Sequence, residues 1–403
     1  MERSEMEVPR TLGKRYAEIA NDDHQRETVA GWKRLNSLEP TRPMVRLDQL
    51  PWNELDFGQK EAVCPKGLLR RVEMRLRRSI YQWEHFKADH VFLPHISISK
   101  FVDNARCGPR LQLENIGLSQ RYIEQLQDIE SVRALEVPKI VTDPEEDARR
   151  VEMLSEVFDG ILPVRLEGHI RHSGLWDMIT TIISPERLLY DLVDRPDYIA
   201  ELIAKYVDLE MGILDQYEEA GLLEAAPEEI HCTGAFTDAL PSAEYDGEKA
   251  KAKDTWTFAM AQMFSDVSPA MHDEYEIEPM KPLLERYGLV YYGCCEPLHN
   301  KIDIIRKLKT VRKISMSPWA NKEAGAEQIH GDYVFSAKPN PSYVAMTEFD
   351  ADLVRKDLEE TVAACRRHDT PCELILKDVS TIRDDPSRLD EWEKIAMEVV
   401  TAS

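Results

Sequence analysis

Two adjacent thiols, a carboxylate and an imidazole stand together in the stretch Leu289-Val-Tyr-Tyr-Gly-Cys-Cys-Glu-Pro-Leu-His299. An apolar strand runs there into Cys294, Cys295 and Glu296, with His299 just beyond. Strand residues alternate sides, so the two cysteines cannot face the same way while the strand lasts. Either cysteine alone would read as a small buried residue, because free Cys is among the most buried types. Grouped with a carboxylate and an imidazole at the tip of a strand, they read as a metal or nucleophile site. Zinc accepts thiolate, imidazole and carboxylate, and a catalytic zinc keeps one position open. An alkoxide, phenolate or thiolate on such an ion has its charge stabilised. Two chemistries follow: activation of a thiol or hydroxyl for methyl transfer, and protonation of a methyl ether oxygen or a hydrolysis driven by the metal as Lewis acid. No Cys-x-x-Cys pair and no H-E-x-x-H accompanies the cluster. P-loop, G-x-G-x-x-G and G-x-S-x-G signatures are also missing, so triphosphate, dinucleotide and serine-hydrolase sites have no support.

Such residues need strands to carry them. Strand-like runs occur at His90–Ile98, Leu162–Gly168, Glu229–Gly234, Leu289–Cys295, Arg312–Met316, Tyr333–Ser336 and Cys372–Lys377, with a weaker one at Met260–Phe264. Amphipathic stretches separate them: Pro185–Ala220, interrupted near Arg195-Pro196, then Pro269–Tyr287, Leu353–His368 and Pro386–Val400. This alternation predicts a parallel sheet, and about eight units predict an α/β fold of the closed (β/α)8 TIM-barrel kind. Residues 1–87 are polar and helical, with an extended piece at Pro43–Asp48, and read as an N-terminal cap. Residues 88–403 then form the barrel. The acidic run Asp143–Asp147 reads as a helix N-terminus.

On such a barrel, chemistry gathers at the C-terminal strand ends. Reading only those ends yields His95, Glu167, His169, His172, His231, Cys232, Asp238, Cys294, Cys295, Glu296, His299, Ser317, Trp319, Lys338, Asn340, Lys377 and Asp378. His24, His272 and His368 read instead as surface residues on helices.

The chain has 403 residues, 43% hydrophobic and 31% charged, an ordinary globular balance. Its formal net charge of −23 argues against nucleic-acid and anionic-membrane partners, which need a basic face. The N-terminus has no signal-like apolar core, and the seven cysteines are scattered, which together suggest a cytoplasmic protein with free thiols.

The order of segments resembles the uroporphyrinogen decarboxylase superfamily of (β/α)8 barrels. The landmarks are Ser184-Pro-Glu186 and its helix, Val267-Ser-Pro269 and its helix, Val290-Tyr-Tyr-Gly-Cys-Cys295, Ser317-Pro-Trp-Ala-Asn321 and Lys338-Pro-Asn-Pro341. The superfamily includes zinc methyltransferases that work with corrinoid proteins. The decarboxylase itself uses paired arginines near its N-terminus; in Pro43–Trp52 only Arg46 is cationic. It also uses an aspartate where this chain has His95. Porphyrinogen decarboxylation is therefore not expected. The methyltransferases place a histidine where Gly293 stands and a cysteine where Cys295 stands, and the late cysteine position here is Lys377-Asp378.

The resemblance implies a methyltransferase. It would take a methyl group from a small O- or N-methylated substrate, such as an aromatic methyl ether, and pass it to a corrinoid protein. Zinc held by Cys295, Cys294, Glu296 and His231, or an acid in its place, would stabilise the leaving group. His95, Glu167, His231 and Glu296 are the expected catalytic residues, and Arg46, Tyr292, Trp319, Asn340 and Asp378 the expected substrate contacts. A homodimer is implied by the resemblance alone. Two other readings remain: a decarboxylase or lyase using His95 and Arg46 on another carboxylated substrate, and a binding protein that keeps only the scaffold.

Overall fold

A computed structural model describes residues 3–116 and 119–402. Eight parallel strands carry the molecule: β1 (Met44–Leu47), β2 (Ile96–Ser99), β3 (Val164–Glu167), β4 (Trp256–Ala259), β5 (Leu289–Tyr292), β6 (Val311–Met316), β7 (Val334–Ala337) and β8 (Cys372–Leu376). Six of them form one sheet in the order β1-β8-β7-β6-β5-β4. The strands β2 and β3 pair separately, with Ile96 opposite Val164 and Ser99 opposite Glu167. An isolated parallel bridge from His172 to Phe258 ties the segment after β3 to β4. The arrangement is consistent with a TIM-barrel-like fold, but the hydrogen-bonded ladder does not close among the described residues: no pairing joins β1 to β2.

Every residue of β1, β4, β5, β7 and β8 is buried, as expected of parallel strands covered on both faces. Helices supply the outer cover. Pro185–Asp194 and Pro196–Glu219 break where the sequence places Arg195-Pro196, because proline cannot donate to the preceding helical turn. Asp143 caps the helix Pro144–Phe158, so the acidic run is a helix start. Ala351–Arg367 and Ser387–Thr401 match the expected late helices. The helix after Val267-Ser-Pro269 is less regular, with a π-helical turn at Asp273–Ile277 between two α-helical pieces.

Three expectations need correction. The extended piece near Met44 is β1, in register with β8 from Met44–Glu373 to Leu47–Leu376, so the segment read as a cap supplies a sheet strand. Glu229–Gly234 is a short antiparallel hairpin and not a barrel strand. The weaker strand expected at Met260–Phe264 lies just before it, at Trp256–Ala259, and Met260–Phe264 itself contains a 3-10 turn. Trp256, Thr257 and Phe258 are aromatic or β-branched, whereas only Phe264 is in the later stretch, so local composition favours the observed strand.

The sheet's inner face is polar in places. Lys313 and Glu373 are fully buried and their charges meet at 2.7 Å. Glu373 also accepts from Ser336 at 2.5 Å and from Thr233 at 2.8 Å. Lys338 donates to Ser336 and to the Tyr291 hydroxyl. The residues that start this network alternate along their strands, so Lys313 and Ser315 share a face, as do Glu373 and Ile375. Continuing that alternation brings Lys377 to the same face, at the rim. Among the described residues, no helix is long and apolar enough to cross a membrane.

Candidate active site

Gly293 ends β5 with φ +89, a backbone region that favours glycine. The left-handed turn interrupts strand alternation. Tyr292 points outward into the helices, where its hydroxyl meets His272 Nε2 at 2.8 Å, while Cys294 joins the inner cluster with Phe258, Tyr291 and Ile375. Cys294 Sγ then lies 3.7 Å from Cys295 Sγ and 3.8 Å from His231 Nε2, and accepts from Lys377 Nζ at 3.1 Å. Cys295 is exposed, and its sulfur is 3.9 Å from Asp378, which also pairs with Lys377 at 2.8 Å. His231 is stacked on Phe258, rings 4.0 Å apart and 8° from parallel. His231 and Asp378 both have positive φ, a combination that non-glycine residues keep only where surrounding contacts impose it. The hydrogen bond with Cys295, and burial with it, push the Cys294 thiol well up. The same hydrogen bond lowers Cys295, against the opposing effect of burial and with help from Lys377.

Tetrahedral zinc with thiolate bonds of about 2.3 Å and imidazole bonds of about 2.0–2.1 Å sets ligand separations of about 3.8 Å (S to S) and about 3.6 Å (S to N). The two contacts of Cys294 match these edges. The rest of the set does not. Cys294, Cys295 and His231 do not all approach one another closely enough for one ion, and the Lys377 ammonium already provides a cation at the Cys294 sulfur. Glu296 is withdrawn as well: fully buried, it accepts from the backbone N–H groups of Ala261 at 2.9 Å and Cys294 at 2.6 Å. It holds the loop and is not positioned as a ligand or an acid. As arranged, these residues do not fit a zinc centre.

A second group lies elsewhere. Residues of β1 and β2 line a cavity of about 560 Å³ on either side of the break in the ladder. His95 Nε2 is 3.2 Å from Glu167 and 3.8 Å from Glu228. Ser97 Oγ donates to Glu167 at 2.5 Å, and Arg165 donates to Glu228 at 3.1 Å. Burial would raise Glu167, but hydrogen bonds from His95 and Ser97 hold it below the ordinary carboxylate range. Glu228 goes the other way: burial and the Glu167 charge push its carboxyl up to about 7, against His95 and Arg165. Among the described residues, His95, Glu167 and Glu228 are the one group of metal-ligating side chains that converges. Arg46 also faces the cavity, with its guanidinium taken by Glu229 at 2.8 Å and Asp48 at 3.6 Å.

The expected residues thus form two groups in place of one shared pocket. His95, Glu167 and Arg46 line the cavity; His231, Cys294, Cys295 and Asp378 surround the thiols. Three substrate contacts fall away. Tyr292 is fully buried, Trp319 is 75% exposed and outside the cavity, and Asn340 caps a turn by accepting from Ser342 N–H. His272, read as a surface residue, is buried against Tyr292. Of the residues that build these two groups, Glu228 is missing from the strand-end reading. Lys377 was visible as a strand end. Glu228 was not, because it precedes its hairpin; the Pro227-Glu-Glu229 run was the available signal.

No protein-family model matches the sequence, and no curated protein matches it. A solved structure described as a methyltransferase from Methanosarcina mazei is similar, with a TM-score of 0.51 at 10% identity. The match covers 92% of this chain and 98% of that one. At that identity the likeness is one of fold.

Proposed function

We propose that this chain is a methyltransferase related to the uroporphyrinogen decarboxylase superfamily, taking a methyl group from a small O- or N-methylated substrate. The observation that carries the reading is the His95–Glu167–Glu228 cluster, with a carboxyl pushed up to about 7 beside a cavity of about 560 Å³. Similarity of fold to a methyltransferase supports the class. An ether oxygen is a poor leaving group until it is protonated, and a general acid works best with a pKa near the working pH. Glu228 supplies that proton to the departing oxygen. His95, hydrogen-bonded to the ionised Glu167, lies 3.8 Å from Oε1 of the acid, and Arg165 donates to that same oxygen at 3.1 Å. The methyl acceptor in this proposal is the corrinoid of a partner protein, which supplies the nucleophile when bound. No zinc step enters, because the thiol-side ligand set is incomplete.

Arg46 is already paired, so no observation favours the lyase reading. The proposal is tested by incubating the full chain with a panel of methyl ethers and methylamines, a supplied corrinoid protein and a chelator. Demethylated product that survives chelation is expected; carbon dioxide released without corrinoid would replace this function with the lyase.

A further inference from the structure

Of the seven cysteines, Cys64, Cys107, Cys232, Cys294, Cys365 and Cys372 are buried, and Cys295 is exposed. The exposed sulfur lies 3.7 Å from its sequence neighbour, so one thiol of the pair meets solvent while the other stands directly behind it. Lys377 Nζ is 3.1 Å from the inner sulfur, placed to stabilise negative charge as it develops there. Asp378 and Lys377 pair at 2.8 Å and close the other side. The proposed methyl transfer uses neither sulfur.

We propose that Cys294 and Cys295 are a redox-active pair that closes to a disulfide between neighbouring residues when the protein meets a hydroperoxide. In the first step the Cys295 sulfur attacks the hydroperoxide, the O–O bond breaks, and the alcohol (or water) leaves with the thiol proton. Cys295 is then a sulfenic acid. In the second step the Cys294 sulfur attacks it, an S–S bond forms, the S–O bond breaks, and hydroxide departs as water with the Cys294 proton. Two thiols and one hydroperoxide give one disulfide, one alcohol and one water; the thiols lose two electrons and the peroxide gains them. Exposure selects Cys295 as the first to react, and proximity selects Cys294 as the resolving thiol.

Neighbouring Cα atoms are about 3.8 Å apart across a trans peptide, closer than the usual disulfide span of about 4.4–6.8 Å. The bond is therefore strained, and strained disulfides are the readily reduced ones. Reversal by a mild thiol reductant follows. In the closed form neither sulfur is available to Lys377 or to a soft metal.

Mass spectrometry of the full-length protein, treated with hydrogen peroxide and then digested, tests this. The peptide carrying both cysteines should lose about 2 Da, and dithiothreitol should restore it. In Cys294→Ser the sulfenic acid should persist on Cys295, about 16 Da heavier and trapped by dimedone. Cys295→Ser should show neither change. An unchanged wild-type peptide, irreversible gain of about 32 Da on Cys295, or a link to Cys232 or Lys377 would each overturn the proposal. None of these readouts depends on methyl transfer.

Discussion

His95 Nε2 stands 3.8 Å from the Glu228 carboxylate, in a cavity that the rest of the sheet leaves unfilled. Burial keeps that carboxyl protonated to about pH 7. Methyl transfer should therefore have a limb that falls as pH rises through about 7, because the acid form is lost. Glu228→Gln should abolish that limb along with most of the rate. A pH–rate profile of both proteins is the check.

The same group links stability to pH. Folded Glu228 holds its proton to about pH 7, whereas the unfolded side chain releases it near the ordinary glutamate value of about 4.3. Between those values the folded state binds more protons, so this group's contribution to stability declines as pH rises through the window. Urea unfolding of wild type and Glu228→Gln at several pH values should show a flatter dependence in the variant. Parallel slopes would place the proton elsewhere.

Glu296 is predicted to matter for the loop and not for a metal. Glu296→Ala leaves the N–H groups of Ala261 and Cys294 without an acceptor in a buried place, at a cost of about 1–3 kcal/mol. Denaturant melts should register that loss, while the metal content of the purified protein stays as in wild type.

The Lys313–Glu373 pair makes the inner face of the sheet sensitive to single changes. Lys313→Met strands a buried carboxylate and should cost about 3–5 kcal/mol. Replacing both members by apolar residues should cost less than that single change. Thermal unfolding of the single and double variants compares the two.

Trp319 offers the opposite case. At 75% exposure and outside the cavity, Trp319→Ala should move stability by no more than about 0.5 kcal/mol and leave KM for the small substrate unchanged.

Much of the architecture was legible in the sequence because parallel strands covered on both sides are continuous apolar runs, and the intervening helices carry clear start signals such as Ser268-Pro269. β1 was seen as extended, but its four residues gave no sign of pairing with β8 more than 300 residues later. At the site, His95 and Glu167 follow from reading strand ends, and so do the thiols with His231 and Asp378. Tyr292 faces outward by plain alternation from the inward Tyr291; what alternation could not show was Gly293, whose left-handed turn sends Cys294 inward. Glu296 was misread for a related reason: a carboxylate beside two cysteines has a metal ligand's composition, yet its oxygens satisfy two backbone amides that only the folded loop brings near. Glu228 escaped because acids before a strand carry no positional signal, and its importance comes from burial beside Glu167.

The decisive measurement follows a labelled methyl group from the O-methyl substrate to a supplied corrinoid protein, in wild type and in Glu228→Gln, near pH 6. Wild type should methylate the corrinoid, and the variant should be slower by about 100-fold or more. Label transfer at the same rate in both proteins, or none from any substrate in wild type, would mean that the cavity acid does not drive this chemistry.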